Sequence, residues 1–213
     1  MEISWFGHTC FRLQDRILTV VCDPYDGSVG MSLPRLTADV VTISHGTNGH
    51  SNAKGVKNWR KVLSGPGEYE IEGVFITGIP TYHGTEESDS REPNTVFLFE
   101  YPDLNICHLG DLGHILKESE VEALPNIDVL MVPVGGRHTL DAAKAAEVIS
   151  IIEPAIVIPM HFLMKTSEKQ LESVDRFLKE MGVPAPEPIG SLKLTKKSQL
   201  PSETQVLLLT PRQ

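Results

Sequence analysis

An α/β fold, with two sheets faced by helices in one domain, is predicted from three observations. The 213 residues suit one compact domain, 1–213, at roughly 150 residues per domain. The first half reads as short β-rich runs closed by turn residues, and from about residue 115 helical periods alternate with strands. β-Rich runs then return near the C-terminal end, an order that suits sheet packed on sheet with helices outside.

Residues 3–6, 10–13 and 17–21 are β-rich, broken by Asp15, Asp23-Pro24 and Asp26-Gly27. Residues 40–43, apolar except for Thr42, predict a buried strand that ends at His45. A loop of Gly, Asn and Ser follows over 46–52. Residues 67–71 and 74–82 predict a hairpin around Glu72-Gly73, and 95–100 with 105–109 another around Pro102-Asp103. The segment 65–70, GPGEYE, lacks the Lys and spacing of a phosphate loop and reads as a tight turn entering a strand. A short helix is expected over 116–124, a strand over 129–132, a helix over 140–152 and a strand over 156–158. For the last helix, Ser167 and Gln170 fit a capping box, Leu171, Val174, Phe177 and Leu178 form the apolar stripe, and Gly182 with Pro184 ends it. Strands over 192–194 and 205–209 close the chain.

Composition narrows the function classes. Hydrophobic residues at 40%, with 17 Gly, match a globular chain and exclude a disordered or collagen-like one. The longest apolar runs, 129–134 and 206–209, fall far short of the roughly 18 to 20 residues of a membrane helix, so no membrane association is expected. The start, Met1-Glu2-Ile3-Ser4, has no signal-peptide pattern, which points to the cytoplasm. Cys10, Cys22 and Cys107 are odd in number and lack C-x-x-C spacing, so reduced, packed thiols are expected. Nineteen basic against 28 acidic residues give a net charge of -9, and the one basic cluster, 193–197, is short. Nucleic acid is thereby disfavoured as a partner. A small anionic substrate is not, because a metal-filled pocket binds anions whatever the charge of the chain.

Four of the eight histidines, His45, His50, His83 and His161, fall at the end of a predicted strand or a few residues into the loop that follows. Asp111 has the same position after 105–109. Five such groups on the ends of different strands would converge on one sheet edge, where imidazole and carboxylate suit a divalent metal. His8 reads as structural, and His108 and His114 as weaker candidates beside Asp111. Residues 135–139 open a helix whose N-terminus, beside Arg137 and His138, suits an anionic group. Ordinary capping by Thr139 and dipole complementation by Asp141 explain the same residues.

The segments Gly7-His8-Thr9-Cys10-Phe11, TVVCDP (19–24), ADVVTISH (38–45), GPGEYE (65–70), Thr81-Tyr82-His83, HLGDLGH (108–114), DVLMVPVGG (128–136) and IPMHF (158–162) together carry a resemblance over nearly the whole chain. It is to the metallo-β-lactamase-fold hydrolases, in particular the short branch of Zn-dependent hydrolases related to ascorbate-phosphate lactonases. The resemblance implies an αββα four-layer sandwich with the metal site along one edge of the paired sheets.

The family's H-x-H-x-D-H motif is degenerate in this chain, which reads His45-Gly46-Thr47-Asn48-Gly49-His50. In the family the first two histidines and a later one hold one metal; the Asp, the final His and a C-terminal His hold the other; a downstream Asp bridges them. By position the later His is His83, the C-terminal one His161 and the bridge Asp111. One position thus keeps His45, His83 and Asp111, and the other His50, His161 and Asp111. One complete site can be built from this set, so a single ion is expected: zinc, or another divalent metal such as manganese or iron. Glu86 or Glu87, in the acidic loop 84–93, offers a replacement ligand.

The implied activity is metal-dependent hydrolysis of a small ester, lactone or phosphate-bearing molecule by a metal-bound hydroxide, with Asp111 as the catalytic carboxylate holding metal and water. Asp23 is expected either to accept an N–H from a ligand imidazole or to serve as a turn aspartate. The alternative is a non-catalytic member of the fold that binds a ligand or partner.

Overall fold

A computed structural model describes residues 1–47, 49–84, 91–122, 124–164 and 170–213. In chain order the strands and helices are β1 (Glu2–Trp5), β2 (Phe11–Gln14), β3 (Thr19–Cys22), β4 (Leu36–Thr37), β5 (Val40–Ile43), β6 (Val56–Lys57), β7 (Lys61–Ser64), β8 (Gly67–Ile71), β9 (Val74–His83), β10 (Glu92–Tyr101), β11 (Leu104–His108), α1 (Glu118–Glu122), β12 (Val129–Pro133), α2 (Ala142–Ile152), β13 (Ile156–Met160), α3 (Val174–Glu180), β14 (Leu192–Lys193) and β15 (Gln205–Val206). One sheet has the order β14-β1-β2-β3-β5-β7, the second β15-β13-β12-β11-β10-β9-β8, and β4 pairs with β6 apart from both.

Side-chain alternation along the strands builds the layers. Val129 and Met131 of β12 enter the core between the sheets, with Phe97 and Phe99 of β10 and Val20 and Cys22 of β3. Their neighbours Leu130, Val132, Val96 and Leu98 face the other way, onto Val148 and Ile149 of α2 and Phe177 and Leu178 of α3. On the far face of the first sheet, Val21 and Val41 pack under Tyr25, Leu36 and Val56. That face is covered by 3-10 turns at Gly27–Val29 and Ala53–Gly55 and by the β4-β6 pair, so the α-helices described lie on the second sheet. Pro24, Gly27, Gly30, Pro34, Gly46, Gly49 and Gly55 interrupt any helical period in the covering segments. The α/β sandwich of the sequence reading is present, with one of its outer layers made of turns.

Several boundaries move for local reasons. Helix α2 starts at Ala142 because the Asp141 carboxylate accepts from the Lys144 N–H and caps it. The start of α3 is set by Ser173, whose hydroxyl accepts from Asp175 N–H; Ser167 of the expected capping box lies outside the described residues. β10 begins at Glu92 rather than residue 95, since Glu92 and Pro93 pair with His83 and Tyr82 of β9 although neither residue favours a strand. β4, β6 and β7, with two to four residues each, are too short to show a period.

The chain direction gathers the site. β3, β5 and β7 are mutually parallel, as are β11, β12 and β13; His45 and His50 follow β5, Asp111 follows β11 and His161 follows β13, while His83 is the last residue of β9. All three cysteines are buried and unpaired. Among the described residues no helix is long and apolar enough to cross a membrane.

Candidate metal centre

At the end of β5, the Ser44 N–H and hydroxyl both donate to the Asp23 carboxylate, at 2.7 and 2.5 Å. The Ser44 carbonyl accepts from Thr95 N–H of the second sheet at 2.9 Å. These bonds fix the backbone that presents His45, so Asp23 acts on the loop through Ser44 rather than on an imidazole. The Nδ1 of His45 lies 3.0 Å from the Pro93 carbonyl. A carbonyl only accepts, so Nδ1 carries the hydrogen and Nε2 the lone pair. His50 Nδ1 lies 3.0 Å from the Thr47 hydroxyl, a group that donates as well as accepts. Thr47 therefore stands as a support for His50.

Asp111 follows β11 through the turn at Gly110. Its N–H donates to Asn94 Oδ1 at 2.9 Å, while Asn94 Nδ2 donates to Thr81 Oγ1 at 2.8 Å and to the Leu109 carbonyl at 3.0 Å. This buried amide ties the Asp111 backbone to Thr81 of β9 and to Leu109 just after β11. The carboxylate Oδ1 lies 3.1 Å from His50 Nε2 and 3.9 Å from His161 Nε2, and Oδ2 lies 3.9 Å from His83 Nε2. Ligand atoms at about 2.1 Å from a tetrahedral zinc are about 3.4 Å from one another, within this range. The four histidines and the aspartate singled out in the sequence thus meet in one place.

His45 Nε2 is buried without a hydrogen bond, and buried His50 Nε2 and Asp111 Oδ1 have no close partner but each other. Buried polar atoms are normally fully satisfied, and groups left short of partners in this way suit a cation. A further group joins them at the rim: His45, His83 and Glu92 place one ligand atom each within 4.8 Å of the others, with Glu92 Oε2 3.2 Å from His45 Nε2. Antiparallel pairing sets Glu92 opposite His83. Glu86 and Glu87 lie outside the described residues. The cleft over these groups has a volume of about 660 Å³, and Arg137 and His138 form part of its wall. Because α2 is capped by Asp141, its N-terminus is already satisfied.

His8 also stands in the cleft, its ring centroid 4.7 Å from that of His50 and 4.5 Å from that of His161. The other two candidates are structural. His108 Nε2–H donates to the Thr9 carbonyl at 2.9 Å and its Nδ1 accepts from Gly110 N–H at 3.2 Å, tying the β1-β2 turn to the Asp111 turn. His114 accepts from Tyr82 N–H and donates to the Ile115 carbonyl. Neither has a nitrogen left for a metal. His8, Glu92 and Asn94 were not legible as site residues because they arrive through a turn and a hairpin register without a strand-end signal of their own.

Burial alone would raise the Asp111 carboxyl, but His50 and His161 hold it well below the usual carboxylate range. Burial lowers His50, yet the Asp111 carboxylate outweighs it and leaves the imidazole above its ordinary value. Burial drives His83 down to about 4, puts His8 well below normal with help from His161 and His50, and lowers His108. For an imidazole depressed in the folded state, the unfolded chain takes the proton first, so its stabilisation is full above about pH 6.5 and declines below it. His50 works in the opposite sense, but three groups oppose one. The melting temperature of metal-free protein is expected to fall as pH drops from 7 through 6.5 toward 4, less steeply in His83→Asn. Equal profiles for the two proteins would contradict this.

An α/β sandwich whose sheet edge gathers imidazoles around a buried carboxylate defines a metal-binding class of protein. Residues 2–161 match the Beta-lactamase superfamily domain, and the chain belongs to the metallo-β-lactamase superfamily. It is similar to a Thermotoga maritima protein of that superfamily, named as a candidate Zn-dependent hydrolase, with 41% identity over 98% of this chain and 97% of that one and a TM-score of 0.80. It is also 24% identical over 216 residues, 86% of this chain and 94% of the relative, to a UPF0173 metal-dependent hydrolase of Methanopyrus kandleri. A metallo hydrolase from Ignicoccus hospitalis, 18% identical over 90% of this chain and 97% of that one, shares the fold with a TM-score of 0.68.

Proposed function

We propose that the protein is a metal-dependent hydrolase of a small ester, lactone or phosphate-bearing molecule, working with one tightly held ion. The observation that carries this reading is the gathering of imidazoles and carboxylates at one sheet edge: His45, His83 and Glu92 share one small space, and His50, His83 and His161 surround Asp111 in the cleft. His45, His83 and Glu92, whose ligand atoms lie within 4.8 Å of one another, would hold the ion, with Asp111 between them and the imidazoles of His50 and His161. Zinc suits this imidazole and carboxylate set, and manganese or iron accepts it. When bound, such an ion lowers the pKa of water from 15.7 to about 7 and polarises a carbonyl or phosphoryl oxygen.

With Oδ1 directed at His50, Asp111 keeps Oδ2 to orient the attacking water by accepting one of its hydrogens. Thr47 and the Pro93 carbonyl hold the His50 and His45 rings. Arg137 and His138 put cationic and polar groups on the cleft wall, which favours a substrate with an anionic group. Three buried, unpaired thiols fit the reducing cytoplasm as its compartment.

The test is metal content after mild chelation and reloading with zinc, manganese or iron, followed by a screen of lactones and phosphoesters. Near one retained equivalent, with turnover in one substrate class, is expected. No retained metal, with a melting temperature unchanged by added metal, would sink the reading and leave a non-catalytic, ligand-binding member of the fold.

A further inference from the structure

We propose that the apolar cavity beside the β1-β2 turn binds a linear hydrocarbon chain of the substrate. The molecule hydrolysed is then an amphiphile, with its reacting group in the metal cleft and its tail in the cavity. The inference rests on the metal-dependent reading above and narrows its substrate class.

The cavity has a volume of about 900 Å³, the size of sites that enclose small organic ligands. Trp5, Phe6, Tyr25, Met31, Leu33 and Phe162 stand among its walls, and among the described residues no charged side chain does. The polar atoms of two of its rings are already used: the Tyr25 hydroxyl donates to the Phe6 carbonyl at 2.6 Å and the Trp5 indole to the His8 carbonyl at 3.0 Å. These rings therefore offer apolar surface, and a group that fills the space is held by burial rather than by hydrogen bonds. The cleft differs in kind, with His50, His83, Asp111, Arg137 and His161 on its walls.

What divides the two spaces decides the occupant. Phe6, Met31 and Phe162 line the cavity, while His8, Val29 and His161, one or two positions away in the chain, line the cleft. The same three strips of chain thus serve both. Between Phe6 and His8 stands Gly7, with φ 94 and no side chain to close the way. A Cβ at Gly7 would meet the ends of two methionines that also line the cavity: Met31 Sδ and Cε at 3.0 Å and Met164 Cε at 3.3 Å. Methionine is unbranched and re-packs readily, so the partition over Gly7 is made of flexible thioether ends. A linear chain, narrow and flexible itself, is the group that fits such a crossing.

The test uses hexyl, octyl and decyl phosphate, and decyl phosphate brominated on its last carbon, on metal-free Trp59→Phe protein. The chain has two tryptophans; Trp59 is exposed, and replacing it leaves Trp5 on the cavity wall as the one indole. Affinity should rise about fourfold per added methylene, and the brominated chain should quench Trp5 fluorescence. Met31→Glu, which puts a carboxylate on the wall, should bind decyl phosphate at least about tenfold more weakly. Met31→Leu should stay within about threefold of wild type. Melting temperatures show that each variant folds.

Equal affinity across the series, or binding without quenching of Trp5, would overturn the proposal, and neither measurement needs a Met31 variant. So would a dimer that Met31→Glu splits, with no quenching, because the face would then belong to a second copy of the chain. Wild type that retains no metal but binds the series with the expected increments would bring down the metal-dependent reading and leave the hydrocarbon site standing. Retained metal with a flat series would do the reverse.

Discussion

The Asp111→Asn variant is expected to lose its tightly held ion and, with it, hydrolysis. Asp111 is the group common to both sides of the centre: Oδ1 faces His50 and His161, and Oδ2 faces His83. An amide keeps the shape but brings no charge to balance a divalent ion, so affinity should fall by more than about 100-fold. The metal-free protein should suffer as well. Removing one partner of a buried charge pair typically costs about 3 kcal/mol or more, and His50 limits the loss to the lower end by shedding its proton. For a chain of this size that is a fall of roughly 6 to 12 °C in melting temperature. The His50 imidazole, raised in wild type by this carboxylate, should titrate lower in the variant, as followed by NMR. Retention of one equivalent of metal by Asp111→Asn would remove the carboxylate from the centre.

Gly135→Ala is expected to produce the second large effect, through the backbone. A Cβ at this position would lie 2.1 Å from the His161 carbonyl oxygen and 3.1 Å from its carbon. Nothing flexible stands there to move aside, because the ends of β12 and β13 are pressed together and locked by Val134 N–H to the Met160 carbonyl at 3.0 Å. The Gly135 carbonyl itself accepts from Glu172 N–H at 2.9 Å. Relief requires the two strand ends to part, which should cost about 3 kcal/mol and displace His161 from Asp111. Zinc affinity should therefore fall along with the melting temperature. Gly190→Ala, where the added carbon meets nothing within 4 Å, serves as the control and should stay within about 0.5 kcal/mol of wild type. Equal behaviour of the two variants would mean that the close approach carries no strain.

The core strands were legible wherever burial on both faces gives a continuous apolar run, as in β12, where Val129 and Met131 point one way and Leu130 and Val132 the other. Helix ends were less so. Asp141 and Ser173 cap α2 and α3, where the sequence pointed to Thr139 and Ser167, because a cap is chosen by where the chain leaves the sheet surface. The short β4 and β6 have no inward-outward pattern to read.

For the centre, the sequence by itself determined the residue types and their order: imidazoles and one aspartate after the ends of strands whose parallel runs set a common edge. It also determined that position 47 offers a hydroxyl and position 49 no side chain. Only the tertiary structure decided what stands around them. Thr47 supports His50, Glu92 comes to the rim through its register opposite His83, and His8 enters beside Gly49 from a turn 41 positions earlier in the chain. The physical reason is that a strand end announces itself through local periodicity. The approach of a turn to a distant loop depends on how two sheets pack, a property of no single segment.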